Sequence, residues 1–200
     1  RCAAGENNVF MGNYSGQYTT GNRNVYIGNR AGCSSTTPNS NVAIGNEITG
    51  CHSGFTGNYN VLIGQKPGGC MTSGTQNVFL GMNSGTQTTT GSMNIALGGF
   101  DALGSNQTGG CNIALGGNAL EDANAHYNIA LGKSAGANLT SGCCNIIMGV
   151  QASACGVITG NDNVFLGRYV AKCASSASGN IIMGSCAVNN DNFTGGCNVI

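Results

Sequence analysis

Tryptophan is absent from this chain of 200 residues, proline occurs twice, and charged side chains make up 7% of it, against roughly 25% in an average soluble domain. Seven Lys+Arg balance seven Asp+Glu, so the formal net charge is zero. A neutral chain this poor in charge has no field with which to draw a phosphate backbone or an anionic membrane surface, so nucleic-acid partners are excluded. No run approaches 18 consecutive apolar residues, which excludes a helical membrane span. The opening residues, Arg1-Cys2-Ala3-Ala4-Gly5, lack the charged-then-apolar pattern of a secretion signal.

In place of charge the chain holds 35 glycines, 28 asparagines and 11 cysteines. Glycine and asparagine favour turns and disfavour helix. The hydrophobic content of 40% is nevertheless too high for a chain that stays disordered. The cysteines lack paired C-x-x-C spacing, which argues against zinc and for an oxidising, extracellular or surface-exposed location. Four N-x-Ser/Thr sequons, at Asn13, Asn106, Asn138 and Asn192, are candidate glycan acceptors.

A five-residue unit, Asn-[Val/Ile]-apolar-apolar-Gly, recurs along the whole chain. Its Asn is Asn8, Asn24, Asn41, Asn60, Asn77, Asn94, Asn112, Asn128, Asn145, Asn163, Asn180 and Asn198. Eleven intervals of 16 to 19 residues cover 190 residues, a mean of about 17.3. That length is too short for a helix pair or a propeller blade. A β-branched apolar core between Asn and Gly makes a short strand. The expected fold is therefore all-β: one continuous β-solenoid over residues 1–200, with about twelve coils stacked at ~4.8 Å into a rod of roughly 55 Å.

Within each unit, the second and fourth positions share one strand face and are expected to fill the interior. The Gly at the fifth position sits where the strand turns. The Asn either caps a turn or joins its neighbours in a ladder of stacked amides. The third position then points outward, yet it is apolar throughout: Phe10, Tyr26, Leu62, Phe79, Ile147, Phe165 and Ile182 carry its bulkier side chains. Such a stripe would need a cover, which suggests a second copy of the chain as partner.

Cys33, Cys51, Cys70, Cys155 and Cys173 fall nine or ten residues after their Asn, while Cys111, Cys144 and Cys197 immediately precede theirs. One rung is within the Cα separation that a disulfide accepts, so coil-to-coil staples are expected, Cys155–Cys173 first among them. The sequence begins and stops inside a coil, as expected of a portion or one subunit of a longer fibre. His52 and His126 occupy different positions in their coils and the acidic residues form no column, so no catalytic group, metal site or cofactor is expected. Ranks of threonine are irregular, which weighs against ice binding.

The units Asn41-Val42-Ala43-Ile44-Gly45 and Asn94-Ile95-Ala96-Leu97-Gly98, with Asn29-Arg30-Ala31-Gly32 following Gly28, resemble the N-x-A-I-G-x-x-A-G repeats of phage tail-fibre-like proteins and of trimeric autotransporter adhesin heads. The resemblance spans all twelve coils and implies a β-roll or solenoid, often trimeric, that serves as a fibre shaft or adhesive stalk. The expected function is thus a non-enzymatic filament protein. The alternative is an adhesin, with arcs such as residues 121–127 or 188–195 presenting a ligand surface.

Overall fold

The computed structural model describes residues 5–49, 54–155, 157–188 and 195–200. Cys51, His52 and Asn192, together with most of the arc at 188–195, lie outside the described residues. Each repeat contributes one strand: β1 (Val9–Met11), β2 (Val25–Ile27), β3 (Val42–Asn46), β4 (Val61–Gln65), β5 (Val78–Leu80), β6 (Ile95–Leu97), β7 (Ile113–Leu115), β8 (Ile129–Leu131), β9 (Ile146–Met148), β10 (Val164–Leu166) and β11 (Ile181–Met183). They pair in chain order into one eleven-stranded sheet. Every neighbouring pair is parallel and in register, from Val9 beside Val25 to Val164 beside Ile181. The twelfth unit joins through a bridge between Val199 and Ile181. The fold is a β-solenoid, with turns completing each coil.

The asparagines explain why the register never slips. Asn24 donates to Asn8 Oδ1 from its backbone N–H at 2.8 Å and from its Nδ2 at 3.2 Å. The same pair of bonds recurs at all eleven steps along the axis, ending with Asn198 on Asn180. The second amide proton reaches forward to the next coil, as when Asn94 Nδ2 donates to the Gly109 carbonyl at 2.9 Å. From Asn24 to Asn180 every member is at most 1% exposed. A buried amide must find partners for its acceptor and two donors, and stacking its own kind supplies them in every coil.

The left-handed residue is the one before the Asn, not the Asn itself. It has a positive φ in all twelve units, from Asn7 (φ 59) to Cys197 (φ 58). That kink aims the amide inward and lets the strand begin directly after it. The turn after the strand needs glycine more strictly. At Gly81 (φ +127) a Cβ would stand 1.9 Å from the Gly98 carbonyl oxygen.

The third-position stripe is the core, which corrects the expectation that it lies outside. Tyr26, Leu62, Phe79, Ile147, Phe165 and Ile182 are at most 1% exposed, and Phe10 packs half-buried against the same cluster. The cause is the amide ladder. With Asn turned inward at the first position, the period-two alternation of a strand sends the third position inward and the second and fourth outward. The far wall answers in size. In two coils with a large ring at the third position a glycine faces it: Gly85 would place a Cβ 2.4 Å from the Phe79 ring, and Gly32 one 2.3 Å from that of Tyr26. Where the third position is Ala96 or Ala114, buried Leu103 and Leu120 occupy the wall instead. In these four coils a large residue on one side is met by a small one on the other.

Candidate functional site

Reversing the strand faces puts the unusual chemistry elsewhere. The outward side of the sheet bears two ranks of side chains, from Val9 to Ile181 and from Met11 to Met183. All twenty-two positions are Val, Ile, Leu or Met, and none is charged or polar. Most are half-buried by their neighbours, and the ends stand open, Met11 at 62% and Met183 at 58%. In-register pairing fixes the spacing at ~4.8 Å along the axis and ~7 Å between ranks, so the face is about 50 Å long and about 10 Å wide. Single exposed apolar residues are ordinary, whereas these form one continuous apolar patch.

Two borders frame it. The column just before each Asn is mostly exposed and carries Arg23, Tyr59, Met93, Tyr127, Cys144 and Asp162. The column five residues after each Asn carries Lys133 and Arg168 as its only charges. Near the start of the coil stack, Tyr14, Gln17, Tyr18, Arg30, Cys33 and Ser34 line a shallow recess of about 450 Å³. Arg30 also sits 3.9 Å from Glu47 across an exposed surface. On β10's coil, Arg168 and Lys172 lie over the Tyr169 ring at 4.7 and 5.5 Å.

One pair of the cysteine column stands in backbone register. Cys155 N–H donates to the Lys172 carbonyl at 2.8 Å, which sets Cys155 beside Cys173 on the next coil. Cys155 carries a free thiol, so the pair stands one rung apart without the bond. Cys33 and Cys70 are half-buried in the same column, and Cys51 lies outside the described residues. Cys144 is exposed, and its hydrogen bond with Cys143 is the first cause of a raised thiol pKa.

The sequons fare differently. Asn13 is exposed. Asn138 is half-buried and donates to the Ala154 carbonyl at 2.6 Å. Asn106 is fully buried with its Nδ2 on the Gly109 carbonyl at 2.9 Å, so a glycan there is incompatible with the folded coil.

Sequence reasoning missed a second ladder. Two residues before seven of the main Asn residues, a side-chain acceptor takes the backbone N–H of the coil before. Asn22 N–H donates to Asn39 Oδ1 at 2.8 Å, Asn39 to Asn58 at 2.7 Å and Cys143 to Asn161 at 2.8 Å. His126 belongs to this column, its Nδ1 accepting from Gly110 N–H at 2.9 Å. The signal was present as Asn, Ser or His at that offset. Among the described residues no three His, Cys, Asp or Glu side chains group as metal ligands.

Inside the core, burial pushes the Tyr26 phenol up to about 12, with Ser35 and Asn41 close enough to pull modestly the other way. Neither the Tyr26 hydroxyl nor Ser35 Oγ has a partner at hydrogen-bond distance. Compared with protein-family models, with curated proteins and with solved structures, the chain matches none.

Proposed function

We propose that the chain is a structural protein whose stacked coils build a filament outside the cell, with no catalytic role. The observation that carries this reading is the amide ladder, unbroken through eleven steps of a sheet in constant register. Such a column propagates one geometry along one axis, which suits a shaft. The repeat's likeness to tail-fibre and autotransporter-head repeats supports the same role. An oxidising exterior would let stacked cysteines such as Cys155 and Cys173 close into staples. Cryo-electron microscopy of unreduced protein tests the reading. Filaments with a ~4.8 Å axial repeat support it, and isolated rods of roughly 55 Å overturn it.

An adhesive role is the second reading, favoured by the recess of Tyr14, Gln17, Tyr18 and Arg30. Exposed aromatic rings beside a guanidinium suit a sugar face and a carboxylate. Binding of acidic oligosaccharides that is lost in Arg30→Ala would move this reading ahead.

A further inference from the structure

We propose that the outward apolar face docks on the same face of a second copy of this chain. The two copies are related by a two-fold axis that runs along the strand direction through β6. This rests on the structural reading above and names its lateral partner.

The face itself calls for such a cover. Two flat apolar sheets pack about 10 Å apart with their strands nearly aligned. A face of roughly 500 Å² on each copy removes about 1,000 Å² in a pair, which reaches the size at which specific interfaces begin. Both ranks repeat nearly identical side chains from β1 to β11, so the face is complementary to itself.

The border selects the symmetry. Rotation about a strand-directed axis through β6 keeps each border beside its own copy and carries the coil of β2 onto that of β10, and the coil of β4 onto that of β8. Among the residues before the Asn, two facing pairs are then chemically matched, while Ser40 falls across from Cys144 and Gln76 from Cys111. Arg23 of one copy faces Asp162 of the other, and the reverse. Tyr59 faces Tyr127, both more than 60% exposed in the single chain. Met93 lies at the centre. Along the other border, Lys133 and Arg168 fall across from Gln65 and Asn29, so no like charges meet. The order Arg23, Tyr59, Met93, Tyr127, Asp162 is centred on the middle strand of the sheet, with Ser40, Gln76, Cys111 and Cys144 between its members. Nothing in the internal packing of the coils requires it, because these side chains point to solvent.

Sedimentation velocity of the full chain under reducing conditions tests the pairing. The unaltered chain is expected to dimerise. Leu97→Lys, which sets two ammonium groups beside the axis, is expected to weaken the dimer at least about a hundredfold. Leu97 is 38% exposed, so the fold should survive, and circular dichroism checks that it does. Arg23→Asp and Asp162→Arg should each weaken pairing roughly tenfold, since each reversal acts at two symmetric contacts. The double variant Arg23→Asp/Asp162→Arg should recover it. Recovery supports the two-fold geometry. A monomer at about 100 µM, or association indifferent to both reversals, overturns the proposal, as does a face that meets ice or lipid instead. Filaments that persist in Leu97→Lys would sink the pairing while leaving the filament reading standing.

Discussion

Replacing Asn94 by Ala removes one rung from the middle of the ladder, and the structure sets the size of the loss. Four hydrogen bonds disappear. Two are the bonds that Asn112 makes from its N–H and Nδ2 to Asn94 Oδ1, at 2.9 and 3.1 Å. The others run from Asn94 Nδ2 to Asn77 Oδ1 at 3.2 Å and to the Gly109 carbonyl at 2.9 Å. The Gly109 carbonyl keeps Asn106, and Asn112 Nδ2 keeps the Ala125 carbonyl. The Asn112 backbone N–H is left buried without an acceptor. At ~1 kcal/mol for each net bond, with an orphaned donor at the costly end of the range, the expected destabilisation is about 4 kcal/mol. Denaturant unfolding under reducing conditions measures it, with no disulfide contributing. Because a stack of coils can open locally, amide exchange should also accelerate at β6 and β7 before it does at β2 or β10. A loss below about 1 kcal/mol, with exchange unchanged at β6 and β7, would refute the ladder as the element that holds the coils together.

Other perturbations follow from the inward third position. Phe79→Ala should cost about 3–5 kcal/mol in chemical unfolding, and adding Gly85→Leu should restore part of it, because that pairing copies the Ala96 and Leu103 arrangement. A further loss on adding the leucine would contradict the compensation. Tyr26→Phe should be neutral or slightly stabilising at neutral pH, since it removes a buried hydroxyl without a partner. The raised phenol also makes the neutral form's advantage complete below pH ~10 and progressively lost as pH climbs to about 12. That amounts to about 3 kcal/mol of alkaline destabilisation, which Tyr26→Phe should abolish in a pH titration of stability. Mild oxidation by a disulfide such as oxidised glutathione should link Cys155 to Cys173. Closing a loop of this length should add about 3 kcal/mol, visible as a reduction-sensitive shift in the unfolding midpoint. A peptide map without that link would count against the column.

The solenoid was legible from the sequence because its period is written twelve times, and Asn and Gly mark the strand's two ends each time. The facing of the strand was misjudged because both faces are apolar. Val/Ile at the second position and Ile/Leu/Met at the fourth look like a core by hydropathy, while alanine dilutes the true core at Ala43, Ala96, Ala114 and Ala130. Two signals in the chain resolve the ambiguity. An Asn that ladders must point inward, and alternation then fixes every residue after it. The inverse sizes of Phe79 with Gly85 and of Ala96 with Leu103 require the third position to face a wall. Asn106 shows the opposite failure, since a sequon is a local pattern and burial is set by the coil around it. The polar ladder two residues before the main Asn was hidden by its chemical variety, because Asn, Ser and His accept the same N–H.

Methionine oxidation tests the inside-out assignment most directly, because the chain carries methionines on both sides of the wall. Met11 and Met183 lie on the outward face and Met93 on its border, at 62%, 58% and 55% exposure, whereas Met71 is 1% exposed in the core. Brief peroxide treatment of dilute, folded protein followed by peptide mass mapping should oxidise Met11, Met93 and Met183 first and Met71 last. Early oxidation of Met71 with Met11 and Met183 protected would mean that the strands face the other way, and the apolar face described here would not exist.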